Sequence, residues 1–182
     1  MNLTFHTPGG IEGESMRIIQ QELDEMGIIL DPDCADVVRR AIHTTADFDY
    51  AKNLIFTPEA ASAGAAALRS GTPIITDTNM ARSGINQKAC TQFGVERFCY
   101  MADPEVAQAA KEHGTTRAVA AVDRWAQEHP NAIFAVGNAP TALLRMCELM
   151  EAGKLRPSLV IAVPVGFVNV VESKEAMLEL CW

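Results

Sequence analysis

Four short stretches of the chain carry side chains able to move a proton or hold an anion. In the first, Arg40 and His43 stand three residues apart near the end of an expected helix, so they share a face. A guanidinium can hold a carboxylate by paired hydrogen bonds, and an imidazole titrates near neutrality. The pair therefore suits a site in which one residue anchors and the other transfers a proton. Two cationic groups at a helix C-terminus also suit the helix dipole with no ligand at all. Arg40 would push His43 toward its neutral form, while Asp47, if close, would pull it toward the charged one.

The second stretch runs from Gly137 to Thr141, where an apolar run enters Gly-Asn-Ala-Pro-Thr and then a helix reaching about Ala152. Proline in the first helical turn leaves neighbouring N–H groups free to receive a carboxylate or phosphate. The same residues also fit a tight strand-to-helix turn in which Asn138 or Thr141 caps the helix. The third stretch is Pro164-Val165-Gly166, where glycine permits a positive φ or close approach of a ligand. Ser173 beyond it is an expected helix cap. The fourth is Thr115-Thr116-Arg117 after Gly114, which places an arginine at a helix start, against the dipole.

Helices and strands in alternation must position these residues. A helix is expected over Glu14 to Met26, with Ile19, Leu23 and Met26 on one face and Gly27 as its stop. Asp31-Pro32 reads as a cap and first turn opening a helix to about Thr44. Thr57-Pro58-Glu59 repeats that signal, and Ser70-Gly71 closes an alanine-rich helix. Short apolar runs at 73–76, 96–101, 133–136 and 159–163 read as strands, with Leu54-Ile55-Phe56 a weaker candidate. Strands separated by helical segments of this length imply crossovers and a mainly parallel sheet. The expected fold is a doubly wound α/β single domain with helices on both faces of the sheet. Ligands in such sheets bind beyond the carboxyl ends of the strands. That rule singles out the turns at Asp77-Thr78-Asn79-Met80, at 137–141 and at 164–167.

Composition narrows the function classes. The 182 residues carry a formal net charge of -8, the wrong sign for a protein that grips a phosphate backbone, so no nucleic-acid partner is expected. A few inward-facing arginines could still bind an anionic small molecule. The cysteines at 34, 90, 99, 147 and 181 form no C-x-x-C pair and read as free thiols of a reducing compartment. His6, His43, His113 and His129 show no ligand spacing, so no metal is expected. No apolar run is long enough to cross a membrane, and the N-terminal stretch lacks a signal-peptide layout. The expected location is cytoplasmic.

Taken together, VGNAPTAL (136–143), PVGFV followed by ESKE (164–175) and RRAIHTTAD (39–47) resemble the precorrin-8X/cobalt-precorrin-8 methylmutases. IEGESMRII (11–19) and SGTPIITDTNMARSGI (70–85) are similar to the same family in the same order. The resemblance implies an isomerase of cobalamin biosynthesis that moves a methyl group between adjacent carbons of a tetrapyrrole. Precorrin-8X would become hydrogenobyrinate, or the cobalt counterpart cobyrinate, with no organic cofactor. It further implies a homodimer with the substrate at the subunit interface. His43 maps onto the family's proton donor/acceptor, Arg40 onto the arginine of its Arg-x-x-His motif and Ser15 onto a substrate-contacting serine. Arg117 maps onto an arginine that reaches the partner's site. Its segment reads Thr115-Thr116-Arg117, departing from the family's Asn-Thr-Arg at the first position. With Thr116, Asn138, Thr141 and Gly166, these residues make up the expected substrate-binding set.

The family usually continues past the ESKE helix into a further strand, a glycine-rich segment and a final helix. Residues 1–182 are thus expected to form a single precorrin isomerase-like domain lacking that C-terminal segment. The competing reading is a corrinoid-binding or carrier protein without catalysis. A nucleotide-binding enzyme is a weaker third, since neither G-x-G-x-x-G nor G-x-x-x-x-G-K-[ST] occurs.

Overall fold

The computed structural model describes residues 8–181; His6, the rest of the N-terminal stretch through residue 7 and Trp182 lie outside them. Contacts divide the chain into two compact units, 1–62 and 63–182. The first holds α1 (Pro8–Glu25), α2 (Ala35–Thr45) and α3 (Tyr50–Asn53), and the division falls inside α4 (Ala60–Arg69). Ile19 and Leu23, four apart on α1, bury against Val38 and Ile42, four apart on α2. Met26 is exposed, contrary to expectation, because α1 ends at Glu25 and Gly27 turns the chain with φ 68°.

Three other expectations fail in this unit. Asp31 and Pro32 form a separate turn, and α2 opens only at Ala35, with no side chain capping it at Cys34. Asp33 in that turn instead caps α4, beyond both α2 and α3. Its carboxylate accepts the N–H groups of Ala61 and Ser62 at 3.0 Å each, a service expected of Thr57. Ser62 and these backbone donors hold the Asp33 carboxyl below its ordinary pKa, against a smaller opposing effect of desolvation. The segment Leu54-Ile55-Phe56 forms no strand. Leu54 and Phe56 pack into the helical core while Ile55 is exposed, so the burial alternates as in a strand but without a neighbour to pair with.

The second unit holds a four-stranded sheet of β1 (Ile74–Thr76), β2 (Arg97–Phe98), β3 (Ile133–Val136) and β4 (Leu159–Ala162), in the order β2-β1-β3-β4. Every pairing is parallel. Side chains alternate between the faces as a strand requires. Ile74, Ile133 and Leu159 pack with Ala67 and Leu68 of α4 and with Cys90 of α6 (Gln87–Phe93). Ile75, Phe134 and Val136 face the other way. They pack with α7 (Pro104–Glu112), α8 (Arg117–Glu128), α9 (Pro140–Glu151) and α10 (Val170–Cys181). Helices cover both faces, and the doubly wound α/β expectation holds. Gly64 lets α4 lie close to the sheet, since a Cβ there would sit 2.8 Å from a Leu159 methyl.

At the β2 edge, Tyr100 donates to Glu128 at 2.7 Å while the Arg124 guanidinium stacks over its ring at 4.7 Å. Burial, and then the bond to the Glu128 carboxylate, raise the Tyr100 phenol above its ordinary pKa. An acid whose folded-state pKa is raised stabilises the fold below its unfolded value and loses that contribution as pH climbs toward the folded one. Melting temperature should therefore fall above about pH 10, and Tyr100→Phe should flatten that decline. Parallel melts of parent and variant between pH 9 and 12 check this.

Candidate active site and family

In the first unit, Ser15 on α1 and Arg40 and His43 on α2 occupy adjoining helices. His43 is half-buried and lies in the last turn of α2, before Ala46 closes the helix with φ 56° and an N–H bond to Ile42. Arg40, one turn earlier, donates to Glu12 of α1 at 2.6 Å. Its hydrogen bond, then its charge, and in smaller part the charge of His43 hold the Glu12 carboxyl below its ordinary pKa. Glu12 thus lies within the fields of both Arg40 and His43, one turn along α1 from Ser15. Asp47 lies in the loop after α2, where it accepts the Asp49 N–H at 2.9 Å. An open groove of about 800 Å³ extends beside Arg40, lined by Met16, Arg17 and Gln20 of α1 and by Asp36, Val37 and Arg39 of α2.

The second unit answers the question left open at Gly137–Thr141. Strand order reverses between β1 and β3, so their carboxyl ends form the crevice where such sheets bind ligands. The residue after β1 is Asp77, which is 1% exposed. Its carboxylate accepts the N–H groups of Gly137 at 3.0 Å, Asn138 at 2.7 Å and Ala139 at 2.9 Å. The donors that would cradle a foreign anion hold one supplied by the chain itself. Neither Asn138 nor Thr141 caps α9, whose N-cap position is Ala139 with no side-chain bond. Asp77 was visible in the sequence as a post-strand residue, but its role was not, because its partners are 60 to 62 positions away.

Asn138 is exposed and Thr141 half-buried at the start of α9. Gly166 adopts φ 134° in the turn after β4, so its positive-φ reading holds. Ser173 does not cap: α10 begins three residues earlier, at Val170 after Asn169 with φ 58°, and Ser173 bonds back to the Val170 carbonyl from a buried position. Thr116 does cap, accepting the Val119 N–H at 3.2 Å, and Arg117 opens α8 with its side chain exposed. The structure therefore groups Ser15, Arg40 and His43 in one unit and Thr116, Arg117, Asn138, Thr141 and Gly166 in the other. Among the described residues, no group of three His, Cys, Asp or Glu side chains is arranged as a metal site.

The family model described as precorrin-8X methylmutase matches residues 10–181. The chain belongs to the precorrin-8X methylmutase family. A cobalt-precorrin-8 methylmutase of Priestia megaterium is 39% identical over 173 residues, which cover 95% of this chain and 76% of that protein. A second methylmutase so named, from Salmonella typhimurium, is 48% identical over 142 residues, covering 78% of this chain and 66% of its own length. The crystal structure of a precorrin-8x methyl mutase from Thermus thermophilus superposes with a TM-score of 0.84 at 43% identity, covering 93% of this chain and 81% of the other. The methylmutase family thus accounts for both the motifs around His43 and the parallel sheet.

Proposed function

We propose that this protein is a cytoplasmic precorrin-8X or cobalt-precorrin-8 methylmutase of cobalamin biosynthesis, with His43 as proton donor/acceptor. The observation that carries the reading is the joint match of sequence and fold to proteins bearing that name, over nearly the whole chain. The placement of His43 agrees with it. A pericyclic methyl shift needs neither a nucleophile nor a redox centre; it needs the macrocycle polarised and the product tautomer trapped. One imidazole can do both at neutral pH by giving or taking a proton at a ring atom. Arg40 would take a carboxylate arm of the substrate by exchanging its exposed bond to Glu12, and Ser15 would add a hydroxyl contact one helical turn away.

Asn138, Thr141, Gly166, Thr116 and Arg117 complete the proposed binding set, with Arg117 serving the site of a partner copy in a homodimer. A second copy would find apolar surface at Ile161, Val163, Val165, Phe167, Val168 and Val171, all exposed. None of the described helices is long and apolar enough to cross a membrane. The test is turnover: mixing the protein with precorrin-8X, and separately with its cobalt counterpart, should shift the absorption spectrum catalytically with at least one. A spectrum that changes only in proportion to the protein added would point to a carrier without catalysis.

A further inference from the structure

The geometry points to the α1–α2 groove as a carboxylate-binding track for the substrate, with Arg17 and Arg39 as anchoring residues beside Arg40. This inference rests on the functional reading above and names which further side chains hold the substrate's acidic arms.

Charge distribution is the first ground. Residues 1–62 carry eleven acidic side chains and only four Lys or Arg, namely Arg17, Arg39, Arg40 and Lys52. Three of these four line a single groove of about 800 Å³, with Asp36 the one acidic residue among its lining. In a chain of net charge -8, that gathers three guanidinium groups, each beside one carboxylate, on an otherwise acidic unit.

The second ground is how the arginines are held. Arg17 bonds Glu14 at 2.6 Å, Arg39 bonds Asp36 at 2.6 Å and Arg40 bonds Glu12 at 2.6 Å. Arg39 is steered further by Gln20, whose side-chain oxygen accepts at 2.6 Å. Each guanidinium is thus held in place by a carboxylate of α1 or α2. Exposed pairs of this kind contribute little net stability, so a ligand carboxylate can replace the resident one at small cost. Met16 and Val37 add apolar lining to the same groove. A flat macrocycle edged with acidic arms matches that mixture, and Arg40, one helical turn from His43 on α2, is among the residues that line the groove.

The test uses the full chain and the reaction product in two forms, the free acid and its peripheral methyl ester. The double variant Arg17→Gln/Arg39→Gln should bind the acid about tenfold more weakly at low salt, the sum expected of two charge-assisted contacts at a solvated site. KM for precorrin-8X should rise alike with kcat unchanged, and added salt should weaken the variant's binding less than the parent's. The ester should bind both proteins equally. Arg17→Lys/Arg39→Lys keeps the charges and should keep the salt dependence, which separates the effect from misfolding. Unchanged affinity for the acid in the glutamine variant, or a fall in kcat with KM unchanged, overturns the anchoring role while leaving the functional reading intact. A parent protein that neither binds nor converts the tetrapyrrole overturns that reading instead.

Discussion

His43→Ala should lower turnover of precorrin-8X by ~10²–10⁴-fold, the usual contribution of a positioned general acid or base, while product affinity stays near that of the parent. The split between rate and binding follows from position. Arg40 holds its bond to Glu12 without help from His43, and the groove beside it is lined without the imidazole. Removing the ring therefore deletes the proton and leaves the anchors. His43→Gln keeps a polar side chain that cannot exchange a proton near neutrality, so it should fall with alanine. Stopped-flow absorption for the rate and equilibrium titration for affinity separate the two quantities. A loss below about tenfold would remove His43 from the proton-transfer role.

The second large effect concerns stability. Asp77→Ala should destabilise the fold by ~2–4 kcal/mol, because three backbone N–H groups at the β3–α9 turn lose a buried, charged acceptor together. For a chain of this length that corresponds to a melting temperature lower by roughly 5–15 °C. Asp77→Asn should fall between the two, since one amide oxygen can still accept while the amide nitrogen presents a donor to a donor. Added formate should raise the melting temperature of the alanine variant and leave the parent unmoved, because it refills a cradle the parent has already filled. An alanine variant that melts with the parent would show that solvent serves the turn as well as Asp77 does.

The same residue explains where sequence reasoning succeeded and where it stopped. Periodic patterns carried the fold: Ile74/Ile75 and Ile133/Phe134 announce a sheet covered on both faces, and the strand runs at 74–76, 133–136 and 159–162 lie within those expected. Helix stops at Gly27 and Gly71 were legible because positive φ is a local demand that glycine meets locally. Caps were less so. Thr116 caps its own helix as a local rule would have it, but Asp33 serves α4 from the turn before α2 and Asp77 serves α9 from the end of β1. A capping side chain needs only to reach the N–H groups in space, and sequence adjacency is one of several ways to arrive. The α1–α2 groove was illegible for the same reason: Arg17 and Arg39 look like ordinary solvated charges until the packing of Leu23 on Ile42 brings their helices together.

A single measurement addresses the central claim without relying on any variant. Precorrin-8X carrying carbon-13 in the migrating methyl group is incubated with the protein, and the label is followed by NMR. The account predicts that the methyl resonance moves from one ring carbon to its neighbour, many times per protein molecule and without dilution by unlabelled methyl donors. A label that stays on its original carbon while the tetrapyrrole is bound would contradict it and leave a protein that holds this substrate without rearranging it.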